Sequence, residues 1–87
     1  MLLLSQNKTQ ILNLDNISNI KVENTFIKAY FNDGRDEILG AYRTRTRARD
    51  VLLEILIKYE EYRIIKQLKK GIINAISLPK VYKIPEE

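Results

Sequence analysis

From Thr44 to Lys70 the chain runs for 27 residues without a glycine or a proline, and this run decides what the rest can be. Helix formers dominate it, and Thr44 or Thr46 supplies an N-cap hydroxyl at its start. Ala48, Val51, Leu52, Ile55, Tyr59 and Tyr62 recur at steps of three and four, so a helix over the run carries one apolar stripe to lay on a sheet. At 1.5 Å per residue such a helix measures about 40 Å, whereas ordinary strands measure roughly 17 to 20 Å. The helix therefore outruns its sheet. Either it breaks near Lys58 to Tyr62 and folds back, with Gly71 loosening a last stretch Ile72 to Ser77, or it extends and packs against another copy.

The first half reads as strands separated by turns. Leu2 to Ser5 is short and apolar, Gln6 to Thr9 carries turn chemistry, and Gln10 to Leu14 resumes an extended pattern. Asp15-Asn16 breaks it, and a ragged alternation follows from Ile17 to Glu23. After Asn24-Thr25 comes Phe26 to Phe31, aromatic and β-branched as strands prefer. Asp33-Gly34 marks a hairpin of the kind whose two central residues take positive φ, so Arg35 to Tyr42 returns beside its predecessor. Leu78-Pro79 stops helix, and Lys80 to Ile84 alternates as an edge strand.

These elements give one domain over residues 1–87: strands in 1–43, a helical segment in 44–78, and an edge strand in 80–84. The expected fold is α+β, an antiparallel β-meander of four to five strands packed against a long C-terminal helix or helix pair. At 87 residues with no cysteine, the chain buries only about 60 to 65% of its unfolded surface and has no disulfide to add. Self-association is one way to bury more. The opening Met-Leu-Leu-Leu turns polar at Ser5, too short for a signal-peptide core or a membrane span, so the expected location is cytoplasmic with no membrane partner.

Histidine and cysteine are both absent, which removes the commonest general base, the thiol nucleophile and the usual zinc ligands. Asp33, Asp36 and Glu37 cluster at the hairpin, where acidic residues are ordinarily solvated. Lys69-Lys70-Gly71 lacks the glycine-rich approach of a phosphate loop. The chain reads as a non-enzyme without cofactor or metal.

Charge is uneven. The net charge is +4, and the whole excess of Lys and Arg lies after Tyr42. Its focus is Arg43, Arg45, Arg47 and Arg49, at every second position where strand gives way to helix. Cations are disfavoured at a helix N-terminus. In an extended segment the four form a comb on one side, suited to nucleotide or nucleic-acid phosphate; in a helix they split, Arg43 with Arg47 and Arg45 with Arg49. The alternative is a solvated surface, with Arg45 or Arg49 pairing Asp50 or Glu54. A second basic stripe, Arg63, Lys66, Lys69 and Lys70, follows at helical spacing. Leu53, Leu56 and Ile57 fall off the core stripe, and Ile57, Ile64, Ile65 and Leu68 are the candidate oligomer contact. Tyr30, Phe31, Tyr42, Tyr59, Tyr62 and Tyr82 read as core before they read as base-stacking surfaces.

One further pattern is a resemblance. Leu3-Leu4-Ser5-Gln6, Asn13-Leu14-Asp15-Asn16, Ile27-Lys28-Ala29-Tyr30, Leu39-Gly40-Ala41-Tyr42, Arg47-Ala48-Arg49 with Val51-Leu52 and Glu54-Ile55, and Val81-Tyr82 before Ile84-Pro85 together resemble a group of short uncharacterised phage and prophage proteins of Gram-positive bacteria. Those relatives pass from a shorter helix almost directly to the closing strand, so Glu60 to Pro79 reads here as an insertion. The resemblance implies a protein that acts by binding: it blocks a host or anti-phage defence component, sequesters a small signal, or adjusts transcription. The partner expected is another protein or a second copy, with nucleotide or nucleic acid as the alternative.

Overall fold

The computed structural model describes residues 1–69 and 81–87, with side chains described outside residues 65–80. Six strands and one long helix follow in order: β1 (Leu2–Leu4), β2 (Ile11–Asn13), a 3-10 turn (Leu14–Asn16), β3 (Ile17–Glu23), β4 (Phe26–Phe31), β5 (Asp36–Ala41), α1 (Arg45–Lys69) and β6 (Val81–Lys83). The fold is α+β, as expected. The strands form two three-stranded sheets rather than one meander, in the orders β2-β1-β6 and β3-β4-β5.

The 3-10 turn is what separates them. Asn13 Oδ1 accepts the Asp15 N–H at 3.0 Å, and Leu14 N–H bonds Met1 O at 3.0 Å. That side-chain cap favours a tight helical turn over a hairpin, so β3 leaves β2 and starts a new sheet. β1 then has β2 antiparallel on one side and β6 parallel on the other, with Leu2 opposite Val81 and Lys83 opposite Leu4. The anticipated last strand is therefore present, and it closes beside the first.

Local chemistry explains the hairpins. Between β3 and β4 the two-residue turn places Asn24 at φ 53°, a region asparagine tolerates. Between β4 and β5 only Gly34 takes positive φ, at 91°, so this turn departs from the expectation of positive φ at both central residues. Gly34 N–H bonds Phe31 O at 3.0 Å and Phe31 N–H bonds Arg35 O at 2.8 Å, a longer connection that needs a single left-handed residue. Asp33 accepts the Arg35 main-chain N–H at 3.0 Å and its Nε at 2.7 Å. The main-chain bond from Arg35 comes first among the causes that hold the Asp33 carboxyl below its ordinary value.

The core joins both sheets to α1: Leu3 from β1, Ile27 and Ala29 from β4, Leu39 from β5, Ala48, Val51 and Ile55 from α1, and Ile84 after β6 are all buried. Tyr59 and Tyr62 are half-buried against them, so the sequence stripe is the packed face except at Leu52, which is half-buried at its margin. α1 passes through Lys58 to Tyr62 without a break. The break expected near Gly71 and the stretch Ile72 to Ser77 lie outside the described residues, as does any second helix there. Gln6 stitches the two sheets together. Its main-chain N–H bonds Leu39 O at 2.9 Å, and its amide both accepts from Ala41 N at 2.8 Å and donates to Ala41 O at 2.9 Å.

Candidate functional site

The arginine run is helical for most of its length, which decides its geometry. Thr44 is the cap: its Oγ1 accepts the Arg47 N–H at 3.1 Å, and its carbonyl accepts the Ala48 N–H at 3.2 Å. Only Arg43 precedes the helix, so no four-membered comb forms. Residues two apart in a helix are about 200° apart, which sets Arg45 and Arg49 on one side of α1 and Arg47 on the other.

Arg47 is committed within the chain. Its Nε and Nη2 donate to the main-chain oxygen of Glu87 at 2.8 and 2.5 Å, and its guanidinium lies 6.0 Å from the centre of the Tyr42 ring. Residues 85–87 are held further by Tyr42, whose hydroxyl donates to Pro85 O at 2.6 Å, and by Gln6 Nε2, which reaches Pro85 O at 3.2 Å and Glu86 O at 2.8 Å. Lys8 pairs Glu86 at 3.3 Å. The acceptor that Arg47 meets is thus a main-chain oxygen of this chain. Burial pushes the Tyr42 phenol up despite the opposing Arg47 charge. Close by, the Tyr82 hydroxyl is buried beside the Glu54 carboxylate, with no hydrogen bond of good geometry among the described residues; burial first, then Glu54, raises its phenol well above the ordinary value.

Arg43, Arg45 and Arg49 are exposed and make no hydrogen bond or ion pair among the described residues. The pairs anticipated with Asp50 and Glu54 do not form. Spacing gives the reason: positions three and four beyond Arg45 hold Ala48 and Arg49, and those beyond Arg49 hold Leu52 and Leu53, so neither arginine has an acid within helical reach.

A concave surface lies on the arginines' side of α1. A groove of about 540 Å³ runs between the helix, through Leu52, Leu53, Leu56 and Tyr59, and the 3-10 turn and β3, through Leu14, Ile17 and Ile20. Ser18 and Asn19 supply its polar rim. Leu53 and Leu56 remain 55% and 53% exposed, and β3 is an outer strand of its sheet, so the groove opens to solvent along one flank. Sequence reasoning had Leu53 and Leu56 off the core stripe, the signal for this surface, but it did not supply the facing wall of Leu14, Ile17 and Ile20.

The remaining candidates separate. Ile57 and Ile64 are each 57% exposed on the side of α1 away from the core, while Ile65 and Leu68 have side chains outside the described residues. Arg63 pairs Glu60 at 3.2 Å; the side chains of Lys66, Lys69 and Lys70 also lie outside them. The outer face of β3-β4-β5 is internally matched, with Lys28 near Glu23 and Asp36 at 3.8 and 3.6 Å and Lys21 4.9 Å from the Tyr30 ring centre. Among the described residues no helix is long and apolar enough to cross a membrane, and no three metal-ligating side chains come together.

Comparison with protein-family models, with curated proteins and with solved structures returns no match.

Proposed function

We propose that this chain is a non-enzymatic binding module whose working surface is the groove between α1 and β3. One observation carries the reading: about 540 Å³ of apolar concavity lined by Leu52, Leu53, Leu56, Ile17 and Ile20 stays open to water, in a domain small enough that leaving apolar surface exposed is costly. The chain has no histidine or cysteine to carry general-base or thiol chemistry. In the setting that the phage resemblance implies, the partner is a host or defence protein that the module occupies and blocks.

A photo-crosslinking residue placed at Leu56, with a second variant carrying it at Glu37 on β5, tests this. A discrete adduct from Leu56 that disappears on Leu53→Glu supports the groove. Equal adducts from both positions, insensitive to Leu53→Glu, overturn it.

A second reading keeps Arg45 and Arg49 as an anion site, favoured by their lack of an ion pair or hydrogen bond among the described residues. Two or three phosphate contacts predict an affinity for single-stranded nucleic acid that falls with a log-log salt slope of about −2. Binding that is flat in salt removes it.

A further inference from the structure

The geometry points to one class of occupant for this groove: an acidic amphipathic helix supplied by another protein. The inference rests on the reading above that the groove is the binding surface, and adds the partner's chemistry.

Steps of four, three and four residues place Arg45, Arg49, Leu52 and Leu56 along one stripe of α1. Leu52 and Leu56 line the groove, so Arg45 and Arg49 continue that wall toward the N-terminus of the helix. Both are exposed and unpaired among the described residues, and the first turn of α1 contains no acid. The positive end of the helix dipole adds to them. An apolar slot that ends in uncompensated positive charge is complementary to a segment with apolar residues at i, i+3, i+4 and i+7 and with Asp or Glu toward one end.

The alternatives fit less well. An extended peptide would add to the outer edge of β3, but the register of β3 with β4 shifts between Ile17 and Asn19, which displaces the β3 backbone at Ser18, whose Oγ turns to Tyr30 O at 3.1 Å. Such a bulge interrupts the ladder an incoming strand needs. A helix takes no main-chain bonds from the edge and needs only ridges to pack against, which Leu52, Leu53 and Leu56 provide. A second copy would bring the same unpaired arginines; of its α1 acids, Glu60 and Glu61 are already paired with Arg63 and Lys58, and Asp50 and Glu54 share the helix with those arginines, so its α1 presents both signs rather than an acidic face.

The test is an NMR titration of the full chain with two synthetic helical peptides of identical leucine pattern, one with glutamate and one with lysine at the polar positions. The glutamate peptide is expected to shift the amides of Ile17 to Ile20 and Leu52 to Tyr59 and to bind at least tenfold tighter than the lysine peptide, with most of that preference lost at high salt. Arg45→Glu with Arg49→Glu reverses the preference, and Arg43→Glu leaves it. Carboxylates suit a helix N-terminus, so the double variant folds and its loss of binding is not loss of structure. Equal binding of both peptides in the groove overturns the acidic partner and leaves the groove reading standing; no groove shift with either peptide overturns both. Concentration-dependent shifts of the same amides without peptide assign the groove to a second copy and overturn the inference.

Discussion

The Tyr42 hydroxyl donates to the main-chain oxygen of Pro85 at 2.6 Å, tying the residue after β5 to the segment after β6. Tyr42 is buried, so the bond forms where water competes poorly. Tyr42→Phe keeps the ring and removes the bond, and a loss of about 1 kcal/mol is expected. In a domain of this size that lowers Tm by about 4 to 8 °C. Thermal unfolding followed by circular dichroism measures it, and an unchanged Tm shows that this bond contributes nothing to stability.

Gly40 sits against the same tyrosine. A Cβ there would lie 3.0 Å from Tyr42 Oη and 3.2 Å from Ile84 Cγ2, so tight that both neighbours must give by a few tenths of an ångström. Gly40→Ala is expected to cost about 1 to 3 kcal/mol. Since the nearest obstruction is the phenol oxygen, Tyr42→Phe relieves part of the clash, and a double-mutant cycle in urea reads a coupling beyond the additive sum. Strict additivity contradicts the proposed contact.

Alkaline stability depends on the buried phenols. Tyr42 and Tyr82 are both raised above the ordinary tyrosine value, burial being the first cause in each. The folded chain then holds these protons more tightly than the unfolded chain does. Their contribution is complete below about pH 10, the unfolded value, and is lost as pH rises through the folded-state values. Urea midpoints from pH 8 to 11 should fall less steeply for the Tyr42→Phe, Tyr82→Phe double variant than for the parent, and parallel falls refute this.

Two leucines separate the core from the proposed docking surface. Leu39 is 1% exposed and Leu53 is 55% exposed. Leu39→Ala is expected to cost about 2 to 5 kcal/mol, and Leu53→Ala to stay within about 0.5 kcal/mol of the parent. Denaturant unfolding of the pair checks the assignment. A large loss at Leu53 would mean that this flank is structural and not a docking surface.

What the sequence revealed is what local chemistry controls. The helical stripe from Ala48 to Tyr62, the Thr44 cap, the glycine turn at Gly34 and the strand character of Phe26 to Phe31 all follow from residues a few positions apart. The pairing of β1 with β6, the bond from Arg47 to Glu87 and the role of Gln6 join residues far apart in the chain, and no periodicity encodes them. The groove falls between these cases. Leu52 and Leu53 are neighbours of one type, and the helix period separates the half-buried one from the exposed one, but the opposite wall depends on where the 3-10 turn sends β3. The arginines show the same division: their spacing was plain, and the point at which the helix begins decided which of them share a side.

The parallel register of β1 with β6 also orders events in time. Leu3, fully buried in the folded molecule, sits in a strand whose second neighbour, Val81–Lys83, is synthesised long after it. The hairpins of β3, β4 and β5 and the body of α1 close over short loops and assemble early, whereas a ladder between such distant segments forms late. Until then one edge of β1 is an open template for pairing. A nascent chain that stalls short of Val81 therefore exposes that edge, and such a species is where aggregation of this protein is expected to begin.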